Sequence, residues 1–378
     1  MNNPIATTRL ARSRIPGALV RSAALLAAAA CTSAALGQVT ILPATTPESS
    51  ANPLAINNAG TVVGFVSEPL MPFGTLTTPA QWAGPALNLS LFAAPPGAPS
   101  GGFQISSANG LNDVGSAVGQ VAWPIAGPGG DFASHAVRWD NGVPTDLGTV
   151  PGFNLAGARA INNAGEVIGF GAGATTLAVR WTPSGVLQSL ELLAADHNES
   201  LAFGINNSGR AVGYSGFLDG DLTTSRRPVA WTGTTATDLT TPAGFNLGSA
   251  RSINDTGDVV GSSIIFDENI FDYTDVRATQ WAGGVPELLP LLDGFMFSAA
   301  DHINASGLII GNMYSDTNSA FYGFDGVPVL WQNGQVIDLR TLLAPSFAAG
   351  TTFSIADLND AGQITGTALT PTGSVGFV

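Results

Sequence analysis

Short apolar runs separated by Gly- and Asn-rich turns recur along almost the whole chain, a pattern that reads as β-strands joined by tight reversals. The turns are related to one another. A segment of the form Ala-x-x-Ile-Asn-x-x-Gly-x-Val-Val-Gly returns seven times, with variation in each copy. It reads LAINNAGTVVG from Leu54, ANGLNDVGSAVG from Ala108, ARAINNAGEVIG from Ala158 and AFGINNSGRAVG from Ala202. It returns as ARSINDTGDVVG from Ala250, ADHINASGLIIG from Ala300 and IADLNDAGQITG from Ile355. The motif asparagines, Asn57, Asn112, Asn162, Asn206, Asn254, Asn304 and Asn359, are 55, 50, 44, 48, 50 and 55 residues apart. Each copy predicts a hairpin. Asn bonds its own backbone and Gly accepts a positive φ, so strand a (Ala-x-x-Ile) turns into strand b, a Val/Ile run that a second Gly such as Gly64 or Gly169 is expected to end.

A second landmark follows six of the seven hairpins: Trp82, Trp139, Trp181, Trp231, Trp281 and Trp331 each end a short strand c. A Gly turn (Asn141-Gly142, Gly283-Gly284, Asn333-Gly334) and a last apolar strand d come next, while Trp123 falls outside the pattern. Four antiparallel strands per repeat of about 50 residues match a β-propeller blade, with a solenoid as the second choice. The expected fold is therefore all-β: a seven-bladed propeller of four-stranded antiparallel blades over residues 38–378. After the seventh hairpin, Ser374–Val378 supplies a strand c without a d, and Gln38–Leu42 is a strand without a, b or c. Pairing of these N- and C-terminal strands would close the ring and leave no open edge. The tryptophans then pack between blades, and the Ala four residues before the motif Asn sits where strands a converge and only small side chains fit.

Composition supports an ordered β-protein. Of 378 residues, 45% are hydrophobic and only 11% charged, and there are 47 glycines and 24 prolines. Residues 1–37 read as an export signal. Arg9, Arg12, Arg14 and Arg21 form a basic n-region, Ala23–Ala30 an apolar stretch, and Ala35-Leu36-Gly37 a small-residue cleavage site. That stretch is too short for a membrane span, so the chain reads as released to the extracellular space, periplasm or cell surface. The single cysteine, Cys31, lies inside this segment as a lipid-attachment candidate or a spare apolar residue, leaving the remainder without disulfides. Removing the segment takes four of 13 basic residues and none of 27 acidic ones, giving 9 − 27 = −18, which argues against a nucleic-acid partner.

The repeat resembles that of the bacterial extracellular HAF-repeat proteins, Ile-Asn-x-x-Gly-x-Val-x-Gly followed by a His-Ala-Phe-x-Trp strand. The resemblance spans residues 38–378. Its hairpin half is matched, whereas only His135-Ala136-Val137 approaches the His-Ala-Phe triplet. It implies secretion and a repeat architecture, and brings no catalytic residue.

Candidate chemistry is sparse. The b–c connections vary between repeats, with Phe217–Pro228, Phe266–Arg277 and Asn312–Val327 long and individual, so a ligand is expected on the face they share with the d–a connections. Within them, Asp267, Glu268, Asp272 and Asp275, together with Asp219 and Asp221, have the chemistry for Ca²⁺ but not the order of a dedicated calcium loop; a solvated acidic loop is the alternative. On strand a, the position two before the motif Asn carries His302 and Asp357 in the last two copies. Asp301, Arg159 and Arg251 sit one position earlier in their copies. A His–Asp pair beside arginines near the axis suits an anionic ligand, or an ion-paired channel lining. His135 and His197 have no evident partner. The expectation is a monomeric, non-catalytic binding or surface-interaction module for a glycan or protein, without a cofactor. A carbohydrate-active hydrolase or lyase and a structural envelope component are the alternatives.

Overall fold

The computed structural model describes residues 38–70, 74–96, 105–124, 132–219, 222–267, 272–316 and 326–378. The export segment with Cys31, and Glu268 and Asp221, lie outside the described residues.

The strands follow the repeat. The first unit comprises β1 (Ser50–Ile56), β2 (Val62–Leu70), β3 (Gly74–Ala83) and β4 (Asn88–Leu91). The second comprises β5 (Ile105–Leu111), β6 (Ser116–Pro124), β7 (Phe132–Asp140) and β8 (Val143–Gly148), and the third β9 (Leu155–Ile161), β10 (Val167–Ala172), β11 (Thr176–Trp181) and β12 (Leu187–Ser189). The fourth holds β13 (Glu199–Ile205), β14 (Arg210–Asp219), β15 (Leu222–Thr232) and β16 (Thr235–Asp238). The fifth holds β17 (Leu247–Ile253), β18 (Val259–Asp267), β19 (Asp272–Ala282) and β20 (Val285–Leu288). The sixth has β21 (Phe297–Ile303), β22 (Ile309–Tyr314), β23 (Val327–Gln332) and β24 (Gln335–Asp338), and the last β25 (Thr352–Leu358), β26 (Ile364–Thr370) and β27 (Gly373–Phe377). Within each unit the order is a-b-c-d and antiparallel; single parallel bridges, Thr77 to Ile105 and Ser134 to Leu155, join the first three units. The segment 40–42 adds to β27: Thr40 N–H donates to Val378 O at 2.8 Å, Leu42 N–H to Gly376 O at 2.9 Å, and Val378 N–H to Thr40 O at 3.0 Å.

Two expectations about local structure are corrected. Two of the three long b–c stretches are hydrogen-bonded strands rather than loops: β14 and β15 pair out to Asp219 with Leu222, and β18 and β19 out to Asp267 with Asp272, while residues 317–325 of the third lie outside the described residues. Aromatic and β-branched residues there, such as Phe217 and Thr223 or Ile265 and Tyr273, favour extended backbone and carry the ladder past the turn expected from composition. The second motif Gly does not end strand b. Gly64 lies inside β2, and a Cβ on it would collide with the Asn52 carbonyl oxygen; Gly213 stands in the same relation to Leu201. Glycine is required there by close backbone approach.

The core is a series of clusters in which neighbouring units meet. Ala108, Val137 and Trp139 pack with Ala55, Val63 and Phe92 of the preceding unit; Ala202 and Trp231 pack with Ile168, Ala178 and Leu190. The six strand-c tryptophans are at most 2% exposed. Each burial of ~150–250 Å² stabilises by an upper bound of ~4–6 kcal/mol. Each indole N–H also finds a backbone acceptor at the preceding strand d: Pro43 for Trp82 and Pro290 for Trp331 (both 2.8 Å), Glu191 for Trp231 (2.8 Å), Thr240 for Trp281 (3.0 Å) and, inside β8, Leu147 for Trp181 (3.2 Å). Among the described residues, no helix is long and apolar enough to cross a membrane.

Candidate functional site

The motif asparagines form a circuit. Asn57 Nδ2 donates to the backbone carbonyl of Asn112, Asn112 to Asn162, Asn162 to Asn206, Asn206 to Asn254, Asn254 to Asn304, Asn304 to Asn359, and Asn359 back to Asn57, all at 2.9–3.1 Å. The same amides use Oδ1 to accept the N–H four residues on, as from Thr61 and Arg210. One buried side chain thus shapes its own turn and ties it to the next. An outer girdle of exposed residues repeats the logic: Asn58 N–H bonds Asp113 Oδ1, Asp113 N–H bonds Asn163 Oδ1, and Asp360 N–H bonds Asn58 Oδ1. It is interrupted where Ala305 offers no side-chain oxygen to Asp255. These residues surround a shallow cavity of about 170 Å³ at the turn end of the axis.

A second cavity, of about 380 Å³, is lined by residues of six units and therefore lies on the same axis: Leu54, Asn109, Gln120, Arg159, Phe170, Phe203, Arg251, Asp301 and His302. Local sequence explains the lining. Strand a carries a β-bulge in every unit, and the unpaired residue is the one three before the motif Asn: Leu54, Asn109, Arg159, Phe203, Arg251, Asp301 and Ala356. A bulge leaves its residue out of the ladder and re-aims its side chain. Beside each bulge, the carbonyl two residues before the unpaired one stands where a Cβ on the facing glycine would go. The bulged position, with six residue types in seven copies, faces the cavity in six units.

Of the anticipated axial residues, Arg159, Arg251, Asp301 and His302 line this cavity, and Asp357 stands behind it. His302 Nδ1 and Asp357 Oδ1 are 3.0 Å apart, and the Asp357 carboxylate also accepts the N–H groups of Ile56 (2.9 Å) and Leu358 (2.8 Å). That carboxylate bridges the sixth, seventh and first units. Enclosure pushes the His302 pKa down, but Asp357 and then Asp301 outweigh it against Arg251, so the net shift is upward. The arginines are held by rings: the Arg251 guanidinium lies 4.4 Å and that of Arg159 5.1 Å from the Phe203 centroid, with Phe170 5.4 Å from Arg159. Arg159 Nε is buried without a hydrogen-bond partner. Burial first, and then the Arg251 charge, lower the Arg159 pKa. Asp301 accepts a hydrogen bond from Asn312 Nδ2 at 3.0 Å.

Phe203, Asn109, Gln120, Leu54 and Phe170 were not anticipated. The signal was present in the variability of the third position before each Asn, and of the residue after each strand-b Gly, which supplies Gln120 and Phe170. Asp267 and Asp272 are register partners and Asp275 pairs with Ile265. Among the described residues, no three His, Cys, Asp or Glu side chains come together to hold a metal ion. Burial raises the Asp275 pKa, with Arg277 and the Val276 N–H opposing. The other histidines do have partners: His135 Nδ1 lies 2.8 Å from Asp146, brought opposite it by the pairing of β7 with β8, and His197 Nδ1 lies 2.8 Å from Ser215 Oγ.

No protein-family model matches the chain, and no curated protein matches it in sequence. Solved structures do match in shape. The β-propeller domain of the Trilobed protease from Pyrococcus furiosus, described as having an open velcro topology, superimposes with a TM-score of 0.51 at 8% identity over 88% of this chain and 93% of that one. YCF48 bound to D1 peptide gives 0.47 at 12% identity over 90% and 94%, and the acylaminoacyl peptidase of Pyrococcus horikoshii 0.38 at 10% over 85% and 57%. At such identities the first of these likenesses speaks to architecture alone, and the architecture is that of a β-propeller.

Proposed function

We propose that the chain is an exported, closed seven-bladed propeller acting as a non-catalytic binding module, with a small ligand held in the axial cavity. The seven-membered asparagine circuit and the bonding of 40–42 to 376–378 support the blade count and closure. The N-terminal arginine and alanine segment and the resemblance to HAF repeats support export.

One observation carries the binding role: the bulged residue differs from copy to copy, with six residue types among seven copies, and in six units it lines the axial cavity. A repeated scaffold that individualises its inward-facing position suits recognition. Asp357, which accepts the Ile56 and Leu358 N–H groups, is fixed beside His302 and so holds the imidazole in the cavity lining.

The test is a thermal-shift screen of the mature chain against polar small molecules of both charge signs, run beside Leu54→Trp, which fills the cavity and removes no hydrogen bond. A ligand at 100 times its Kd adds ~2.7 kcal/mol to stability. The reading requires stabilising compounds whose effect is lost in Leu54→Trp. Silence across the screen, or ligands indifferent to that substitution, overturns it.

A further inference from the structure

The walls of the axial cavity differ in charge. Arg159 and Arg251 share the Phe203 ring, and among the described residues neither guanidinium has an ion-pair partner within 4 Å. An Arg guanidinium presents a planar fork of donors matched to a carboxylate. Two cations gathered on one ring, one with a buried unpartnered Nε, call for an anion between them. The remaining wall calls for something else. Asp301 is an acceptor with capacity beyond its bond from Asn312, and it excludes a second negative charge from its side. Gln120 adds an amide, and Phe170 an apolar ring.

We infer that the cavity takes a sugar acid, its carboxylate forked by Arg159 and Arg251 and its hydroxyls donated toward Asp301 and the Gln120 amide. This deepens the proposed binding role and rests on it. Alternative anions match the two walls less completely. Phosphate meets the arginines, but turns a P–OH donor toward Asp301 only while holding its remaining negative oxygens against the same carboxylate. An α-amino acid such as glutamate sets its ammonium on Asp301 but has no hydroxyl for the Gln120 amide. Hydroxyls donate without charge. A cavity of about 380 Å³ falls at the small end of ligand sites, which span roughly 300–1,000 Å³, and suits a monosaccharide better than a long chain.

The experiment is calorimetric titration of the mature protein with D-galacturonate and D-glucuronate, and separately with D-galactose, inorganic phosphate and L-glutamate. At least one uronate is expected to bind tenfold or more tightly than each of the other three. In Arg251→Gln its Kd is expected to rise tenfold or more while galactose is unaffected, and Arg251→Lys, which keeps charge without the fork, falls between. Should a variant fail to fold, the preference for a uronate over galactose in the unaltered protein decides the matter alone. Equal binding of galactose, or tighter binding of phosphate or glutamate, overturns the sugar-acid assignment while leaving a binding module in place if Leu54→Trp abolishes that binding. Absence of any cavity-dependent ligand in the broader screen removes both.

Discussion

The side-chain amide of Asn359 donates to the backbone carbonyl of Asn57, 302 residues earlier in the chain, at 2.9 Å. The neighbouring Asn58–Asp360 bond spans the same distance, and the Asn359–Asn57 bond repeats the one made between every other pair of successive motif asparagines. Its partners on both sides are buried, so water cannot substitute when one is removed.

A member of this circuit should therefore be costly to lose. Asn254→Ala leaves the Asp258 N–H without its acceptor and takes one of two donors from the Asn304 carbonyl, which keeps the Gly307 N–H at 3.1 Å. An unpaired buried group costs about 1–3 kcal/mol, so denaturant unfolding should show a loss of about 1–3 kcal/mol. Asn254→Asp retains the acceptor but replaces the donor with a charge, so its deficit should grow as pH rises above the carboxylate range. A loss under 1 kcal/mol for both would mean that the circuit is incidental.

The bulge predicts a second sensitivity. At Gly213 a Cβ meets the Leu201 carbonyl oxygen, whereas at Gly233, in a c–d turn, it meets nothing within 4 Å. Gly213→Ala should destabilise by about 3 kcal/mol or more through backbone displacement. It should also perturb ligand binding, because the bulge that aims Phe203 must shift. Gly233→Ala, strained only by its φ of +62°, should cost about 1–2 kcal/mol and leave binding alone.

These two glycines also show what the sequence made legible. Their spacing disclosed hairpins, unit boundaries and the inward position of strand a, because turn chemistry and backbone crowding act locally and leave fixed residue types. The tryptophans were readable for the same reason, as large side chains that only an interface between units can enclose. What remained hidden was relational. Nothing local in Asn57 says that its Nδ2 serves the next unit, and nothing in Phe203 says that two arginines from neighbouring units share its ring. Arg159, Arg251 and His302 were recognised as axial because charge is unusual at those positions; Asn109 and Gln120 were passed over because amides are unremarkable in such a composition. The β18–β19 tip reads as a loop in sequence because Asp267, Asp272 and Asp275 are poor strand formers, and its pairing is set by the register of the hairpin below it.

The added N-terminal strand gives a third prediction. Deleting residues 38–44 removes three backbone bonds to 376–378, worth ~1 kcal/mol each, and the Leu42 side chain, 3% exposed, whose burial contributes about 2 kcal/mol. Trp82 loses its acceptor, Pro43 O, as well. The midpoint of thermal unfolding should fall by roughly 10 °C or more at about 2–4 °C per kcal/mol, and limited proteolysis should enter first at β26 and β27. Thr40→Pro, which removes only the donor to Val378, should give a small fraction of that shift. A truncated chain melting like the full one would show that the terminal segments do not hold the seam.

Two histidines should give stability opposite slopes with pH. In the folded chain His302 has a raised pKa: enclosure opposes protonation, but Asp357 at 3.0 Å and Asp301 more than compensate, with Arg251 opposing them. The native state therefore holds this proton more tightly than the unfolded chain, whose imidazole titrates near 6.5. The resulting stabilisation is complete below about pH 6.5 and disappears as pH rises through the native value. For His197 the sign reverses. Burial lowers its pKa, helped by Arg227 and countered by Asp196 and Asp238, so the unfolded chain takes up the proton first and stability falls as pH drops below about 6.5. Urea unfolding measured from about pH 5 to about pH 9 should show His302→Gln flattening the alkaline limb and His197→Gln the acid limb. Asp357→Asn keeps an oxygen for the Ile56 N–H while removing the charge, so it should bring the His302 ring resonances to a lower titration midpoint. A His302 midpoint at or below 6.5 in the unaltered protein would show that Asp357 is spent on the Ile56 and Leu358 amides, leaving the imidazole governed by its enclosure.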